Sequence, residues 1–192
     1  MAEDRPKHGL EIAYQLTATE LLDAMARRFR ARVALEGAVA EVHLAKQIAE
    51  LHQRGVVVEY KEHDLDNYPD FTVVIGSGTA VRIEVKNIRN EPYTRGGSVI
   101  AYKVETQKTR VSQDDRTSRF YGVDQFDILA VCLGKLGRDW RQFLFIRASD
   151  LARHEQYPHK LAVMQRVPIV GEVSRSASPW HTSLDELLTN WE

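Results

Sequence analysis

The sequence predicts an α/β protein with a mixed β-sheet flanked by helices, and three features carry that prediction. Two β-branched runs stand on either side of Gly76-Ser77-Gly78, as expected for an antiparallel hairpin with a tight turn. An amphipathic segment over residues 38–54 precedes them and predicts a helix. Apolar runs over residues 126–133 and 140–146 follow and predict two further strands. We therefore expect helices packed on a mixed sheet, with the hairpin near its centre.

The composition is that of an ordinary globular protein, with 192 residues, 43% of them hydrophobic and 28% charged. This length predicts one domain over residues 1–192, with a helical N-terminal part at about residues 16–54. The single cysteine, Cys132, allows no internal disulfide and no cysteine-based zinc site, which fits a reducing cytoplasm. The N-terminal residues are charged and no run reaches membrane-spanning length, so we expect neither export nor a membrane partner.

Positive charge is concentrated in one segment, although the net charge of the chain is only −1. Nine basic and five acidic residues lie between Arg82 and Arg119. Such a segment can supply the basic surface that a nucleic-acid-binding protein needs, and a solvated charged loop is the alternative. The candidate DNA-binding residues are Arg82, Arg89, Lys103, Lys108 and Arg110.

Two helices are predicted before the first strand. The first covers residues 16–35, with Thr17 or Thr19 as its N-cap. Gly37 marks a possible break or a close contact before the second helix, which ends at Gly55. Residues 1–9 are polar, and we expect them to be loosely held.

The remaining elements are predicted from shorter patterns. Residues 56–60 form the first strand, and residues 98–110 form either a helix or a strand whose last part turns helical. Residues 161–170 form an edge strand, because Pro168 argues against a central place in a sheet. Residues 183–191 form a closing helix with leucines at helical spacing.

The hairpin brings charged residues together on apolar strands. If it is centred on Ser77, Asp70 stands directly opposite Glu84, with their Cβ atoms roughly 4.5–5.5 Å apart. Lys86 is two residues past Glu84 and points to the same face. Like charges directly opposite each other destabilise a sheet. A divalent cation between the carboxylates would remove that repulsion, and their hard oxygen ligands suit Mg²⁺.

Pro69-Asp70 followed by Glu84-Val85-Lys86 resembles the Pro-Asp…(Asp/Glu)-x-Lys signature of the PD-(D/E)XK, or restriction-endonuclease-like, nuclease superfamily. The resemblance implies one nuclease-like domain over the whole chain. It also implies a restriction-endonuclease-like core with a mixed central sheet, flanking helices and a catalytic hairpin at residues 69–88. A surface hairpin with an ordinary Glu–Lys pair is the alternative.

The resemblance assigns roles to four residues of the hairpin. Asp70, Glu84 and the backbone carbonyl of Val85 are implied as ligands of Mg²⁺, with Mn²⁺ as its substitute. Lys86 is implied to orient or activate the attacking water. A lowered pKa of Lys86, caused by its neighbours and partial burial, is one possibility that the sequence leaves open.

Two further positions are implied by the same resemblance. A helix glutamate ahead of the first core strand completes the metal site in this superfamily, and Glu41 matches that position best. Glu36 and Glu50 are the competing assignments. A polar residue after the Glu-x-Lys strand lies near the scissile phosphate in some members, and Gln107 beside Lys108 is the candidate here.

The function implied is a Mg²⁺-dependent DNA endonuclease, of restriction or defence type, acting as a homodimer in the cytoplasm. The alternatives are a structure-specific nuclease of the Holliday-junction-resolving kind, a non-catalytic DNA-binding or scaffold protein that kept the fold, and a module acting on RNA. A partner subunit or the loops at residues 89–97 and 111–122 would read the target. No Gly-rich phosphate loop and no histidine cluster is present, so the sequence supports neither ATP use nor a transition-metal site.

Overall fold

The computed structural model describes residues 6–65, 68–108, 117–173 and 178–191. The chain divides into two compact units, residues 1–38 and residues 39–192. The expectation of one domain over the whole chain stays a prediction. No helix in the described ranges is both long enough and apolar enough to cross a membrane.

The N-terminal unit is helical. Helix α1 (Gly9–Tyr14) was not predicted; it begins after His8, whose ring nitrogen accepts a hydrogen bond from the first turn. Helix α2 (Ala18–Ala26) begins after Thr17, whose hydroxyl accepts a hydrogen bond from the Glu20 N–H at 3.2 Å, so Thr17 is the cap. The single helix predicted over residues 16–35 is wrong, because α2 ends at Ala26 and the next helix begins at Phe29.

Helix α3 (Phe29–Gln53) is continuous, so the predicted break at Gly37 is wrong. A glycine inside a helix costs roughly 0.5–1 kcal/mol relative to alanine. Burial of one apolar stripe offsets that cost, since a fully buried leucine or isoleucine contributes about 1.5–3 kcal/mol. The buried residues of α3 are Ala40, Leu44, Ile48 and Leu51. Gly55 follows the helix with a φ of +77°, as expected for a glycine that ends a helix.

Besides most of α3, the described part of the second unit contains eight strands, three short α-helices and a short 3₁₀ helix at Ala148–Asp150. The strands are β1 (Val57–Glu62), β2 (Phe71–Ile75), β3 (Ala80–Asn87), β4 (Tyr93–Arg95), β5 (Ser98–Glu105), β6 (Ile128–Cys132), β7 (Phe143–Arg147) and β8 (Met164–Val167). The helices are α4 (Gly134–Gly137), α5 (Val170–Val173) and α6 (Leu184–Thr189). Residues 98–105 are therefore a strand, and the helical alternative for this segment is wrong.

Five strands form a mixed sheet in the order β1-β2-β3-β6-β7. Strand β3 is central, and it pairs antiparallel with β2 and parallel with β6. The other pairs are antiparallel. The predicted mixed sheet is confirmed, and so is the place of the β2–β3 hairpin near its centre.

The two faces of this sheet are covered differently. Alternate residues of β2 and β3 pack with the buried stripe of α3 and with the leucines of α6, so helices flank the sheet on this face. On the opposite face, residues of β6 pack with Val104 of β5 and Val167 of β8. Strands β4, β5 and β8 form a separate antiparallel sheet in the order β4-β5-β8, and β8 is an edge strand as predicted.

Candidate active site

The register of the β2–β3 hairpin is the predicted one. Phe71 pairs with Ile83, so the next residues outward are Asp70 and Glu84. The turn closes through a hydrogen bond of 2.8 Å from the Gly78 N–H to the carbonyl of Ile75. Gly78 has a φ of +84°, which glycine adopts without steric cost.

Asp70 is fixed at the beginning of the hairpin by a backbone contact. Its carboxylate accepts a hydrogen bond of 2.6 Å from the N–H of Val85, the residue between Glu84 and Lys86. Asp70 itself is only partly exposed, and Pro69 before it is buried. The Asp70 carboxylate is therefore held beside the Glu-Val-Lys segment of β3.

Glu84 and Lys86 are in direct contact. The Glu84 side chain is largely buried, with the residue only 4% exposed. The ammonium of Lys86 donates hydrogen bonds to Oε1 of Glu84 and, at 3.1 Å, to the carbonyl oxygen of Val85. These two acceptors are oxygens that the family resemblance implies as metal ligands, so a cationic group already binds both of them.

Tyr121 also belongs to this site, although the sequence did not identify it as a site residue. Its hydroxyl donates a hydrogen bond to the same Oε1 of Glu84, and its ring centre lies 5.4 Å from Nζ of Lys86. The ring packs edge-to-face on Phe126, at 5.4 Å between ring centres. Because Tyr121 lies far from the hairpin in sequence, no local pattern could have paired it with Glu84.

Burial and mutual repulsion perturb the carboxylates. Burial, and then the charge of Glu84, raise the pKa of Asp70 to about 7, while Lys86 and the hydrogen bond from Val85 oppose that rise. Burial alone would lower the pKa of Lys86, but the charges of Glu84, Tyr121 and Asp70 outweigh it and the pKa is raised. The possibility of a lowered Lys86 pKa is therefore wrong, and Lys86 is a cation at neutral pH.

Glu41 belongs to the electrostatic surroundings of this site. Burial raises the pKa of Glu41, and the charges of Glu62 and Glu84 raise it further, while the charge of Lys86 lowers it. Glu62, at the end of β1, is a second acidic neighbour that the sequence analysis did not identify. The pKa of Asp70 is in turn raised by the charge of Glu41.

The two competing glutamates are placed differently on α3. Glu36 lies 3.9 Å from Arg32 in an i,i+4 ion pair. Glu50 is exposed on the same helix. Among the three glutamates, Glu41 is therefore the one that interacts electrostatically with Lys86 and Asp70.

The oxygen atoms at the hairpin fit a hard divalent cation. The donor set consists of the carboxylates of Asp70 and Glu84 and the carbonyl of Val85, and all three are oxygen ligands of the kind that Mg²⁺ takes. Within the described ranges, no three side chains among His, Cys, Asp and Glu lie close enough together to hold a metal ion. The described structure thus does not bring Glu41 together with Asp70 and Glu84 as a third ligand, and its place at the metal site stays a prediction.

Two of the basic candidates are paired with acids. Arg82 forms a two-point ion pair with Asp127, at 2.8 and 3.0 Å, and its backbone N–H also donates to that carboxylate at 2.8 Å. Arg89 is bound to the carboxylate of Glu105. Both arginines thus have acidic partners within the chain, which stabilise their positions in the absence of a nucleic acid.

Two further candidates, Lys103 and Lys108, lie near aromatic rings. Nζ of Lys103 is 4.6 Å from the ring centre of Tyr93, and Nζ of Lys108 is 5.8 Å from that of Tyr121. Lys108 is thus brought to the site, beside the ring that also contacts Lys86. Arg110 lies outside the described residues, as do residues 111–116 of the predicted reading loop.

Gln107 lies near the site along the chain. The contact described for it is a backbone pairing with Phe120, the neighbour of Tyr121. Its proposed role near a scissile phosphate stays a prediction.

Comparison with protein-family models gives no match, and comparison with curated protein sequences gives none either. Among solved structures, that of a bacterial homing endonuclease is similar, with a TM-score of 0.46 and 16% sequence identity. The similarity covers 76% of this chain and 83% of that chain. A likeness this distant defines neither a family nor an activity for the protein, so its function has to be inferred from the site.

Proposed function

We propose that the protein is a metal-dependent DNA endonuclease of the PD-(D/E)XK kind, which hydrolyses phosphodiester bonds with Mg²⁺ or, in its place, Mn²⁺. The observation that supports it is the convergence of Asp70, Glu84 and Lys86 at one end of the central hairpin. The register puts the two carboxylates side by side, and Lys86 contacts both Glu84 and the Val85 carbonyl.

Asp70, Glu84 and the carbonyl of Val85 would hold the ion. Glu41 is a further acidic residue whose charge acts on Asp70. When bound, Mg²⁺ would polarise the scissile phosphate and make its water ligand more acidic. Because the pKa of Asp70 is raised to about 7, ion binding at neutral pH releases a proton from this carboxyl. We therefore expect metal affinity to rise with pH between about 6 and 8.

Lys86 acts as a fixed cation in this proposal. In the metal-free protein, its raised pKa keeps the ammonium charged. It is held by Glu84 and the Val85 carbonyl, and it can hydrogen-bond the attacking water and offset negative charge on the phosphate oxygens in the transition state. Fixed charges of this kind, aimed at a developing anion, contribute most where water is excluded.

We also propose that the protein acts as a homodimer through its N-terminal helices. No residue of α1 or α2 is buried, and Ile12, Tyr14 and Phe29 are each more than 60% exposed. Acidic side chains lie in α1 and α2, and four arginines follow between residues 27 and 32. A two-fold arrangement would place the acids of one copy against the arginines of the other. An Ile12→Glu variant should sediment as a monomer at concentrations where the wild type is a dimer; a wild-type monomer with and without DNA would refute the dimer.

The endonuclease proposal is tested with purified protein on linear, supercoiled and branched DNA, in Mg²⁺, Mn²⁺ or EDTA. Discrete fragments from linear DNA would indicate a restriction or defence enzyme, and cutting confined to branched DNA would indicate a structure-specific nuclease. Lys86→Ala should abolish cutting, while Lys46→Ala, at an exposed lysine of α3, should cut like the wild type. DNA binding without cutting of any substrate in either metal would leave a DNA-binding protein and overturn the proposal.

A further inference from the structure

Three half-buried aromatic side chains form a cluster next to the candidate active site. Ring centres are 4.7 Å apart for Phe120 and His154, 5.1 Å for His154 and Tyr157, and 6.2 Å for Phe120 and Tyr157. Each of the three residues remains partly exposed. The rings therefore pack on one another, and part of each remains accessible to solvent.

Backbone pairings fix this cluster to the site. Phe120 pairs with Gln107, and Gly122 pairs with Lys160. The N–H of Leu161 donates to the carbonyl of Tyr121 at 2.9 Å. The chain around residues 154–160 is thereby held against the segment that carries Tyr121, whose hydroxyl binds Glu84.

Two lysines belong to the same region of the chain fold as the cluster. Lys108 lies 5.8 Å from the ring centre of Tyr121, and the N–H of Lys108 donates to the carbonyl of Arg119, next to Phe120. Burial, followed by the charge of Lys160, lowers the pKa of Lys108, so the two ammonium groups are close enough to repel each other. Glu84 compensates the charge of Lys86, so Lys108 and Lys160 carry the positive charge on this side of Tyr121.

We propose that Lys108, Phe120, His154, Tyr157 and Lys160, here called the lysine–aromatic surface, bind an unpaired stretch of the DNA strand that is cut. Phosphates lie on the two lysines, and a base stacks on the exposed part of the rings. This inference rests on the proposed nuclease function and names its substrate: DNA with unpaired nucleotides beside the scissile bond.

The chemistry of the surface favours a single strand over a duplex. Proteins that bind single strands combine a positively charged track with aromatic rings on which bases stack. In a duplex the base faces are covered by neighbouring base pairs, so a duplex can use the lysines but not the rings. Lys108 of this surface lies 5.8 Å from the ring centre of Tyr121, so a strand bound there would begin beside the proposed site of hydrolysis.

The test is fluorescence anisotropy with full-length protein in EDTA, so that no substrate is cut. The probes are a labelled single-stranded oligonucleotide and a blunt duplex of the same length. The wild type should bind the single strand more tightly. Tyr157→Leu should weaken single-strand binding about tenfold, the equivalent of about 1.4 kcal/mol, because base–aromatic stacking is lost. Tyr157→Phe keeps the ring and should bind like the wild type.

Salt dependence tests the lysines separately. Lys160→Gln should reduce the slope of log affinity against log salt by about 0.7 for the single strand, since one phosphate contact is lost. Lys46→Gln, on an exposed face of α3, should leave the slope unchanged.

The outcomes separate this inference from the endonuclease proposal. Equal effects of Tyr157→Leu and Tyr157→Phe, or tighter binding of the duplex, would overturn the inference even if the protein cuts DNA. Ring-dependent binding of single strands without any cutting would uphold single-strand binding by the lysine–aromatic surface, but it would overturn the endonuclease proposal and with it the role of this surface in cutting. Circular dichroism and urea unfolding of each variant identify any variant that does not fold, and Phe120→Leu against Phe120→Tyr then repeats the comparison.

Discussion

Replacing Asp70 with asparagine should stabilise the metal-free protein at pH 8 and abolish metal-dependent cutting. Burial and the charge of Glu84 raise the pKa of Asp70 to about 7, from 3.8 for a free side chain. Asparagine cannot ionise, and its amide oxygen can still accept the hydrogen bond that the Val85 N–H donates to Asp70. The variant therefore removes a charge that the fold does not stabilise, while it keeps the local hydrogen bond.

The sign and size of the effect follow from linkage. Between the unfolded and folded pKa values, the folded protein holds more protons than the unfolded chain, so its stability falls as pH rises. One pKa unit corresponds to about 1.4 kcal/mol, so ionisation of Asp70 costs the fold at most about 4 kcal/mol in total. About 3 kcal/mol of this loss falls between pH 5 and pH 8, and it is fully developed above pH 7.

Urea unfolding in EDTA at pH 5 and at pH 8 measures this difference. The free energy of unfolding of Asp70→Asn minus that of the wild type should increase by up to about 3 kcal/mol from pH 5 to pH 8. Asp64→Asn, at an exposed position before the same hairpin, controls for the general effect of removing a negative charge. A difference between Asp70→Asn and wild type that is the same at both pH values would refute the reasoning.

Two further variants test the contacts around the site. Tyr121→Phe removes the hydroxyl that donates a hydrogen bond to Glu84. Because loss of a partner that orients a metal ligand typically lowers metal affinity at least tenfold, Mg²⁺ affinity measured by calorimetry should fall about tenfold. An unchanged affinity would mean that Glu84 needs no such partner. Asp127→Ala removes the acceptor of both the Arg82 side chain and its backbone N–H, so the free energy of unfolding should fall by about 1–3 kcal/mol. If the only role of Arg82 is this ion pair, DNA affinity should stay unchanged in Asp127→Ala; a change in affinity without a loss of stability would support Arg82 as a DNA contact.

The β2–β3 hairpin could be predicted because its determinants are local. A turn residue with positive φ, Gly78, and alternating apolar residues on both sides fix the pairing, and the register follows by counting outward from Ser77. The positions of Asp70 and Glu84 relative to each other were therefore contained in the sequence.

The helical part was harder to predict because long-range packing decides it. Gly37 is compatible with either a break or a continuous helix, and the buried stripe from Ala40 onward favours the continuous one. The opposite error occurred between residues 16 and 35, where the helical pattern continues but the helix stops at Ala26. Helix α1, only six residues long, depends on its cap at His8, a weaker signal than periodicity.

The surroundings of the site also required the three-dimensional structure. Tyr121 is 37 residues from Glu84 in sequence, and Asp127 is 45 residues from Arg82. The sequence did not show that Arg82 forms an ion pair with Asp127, and its role as a DNA contact stays a prediction. Likewise, whether the pKa of Lys86 is raised or lowered depends on the balance between burial and nearby carboxylates. That balance cannot be obtained from the sequence.

The most direct test of the central claim is cleavage of a supercoiled plasmid by wild-type protein in Mg²⁺, with Lys86→Ala beside it at equal concentration. Urea unfolding of both proteins first establishes that the variant is folded. The account predicts nicked or linear product from the wild type, none in EDTA and none from Lys86→Ala. Equal cutting by both proteins, or cutting that continues in EDTA, would contradict it and place the activity outside the hairpin site.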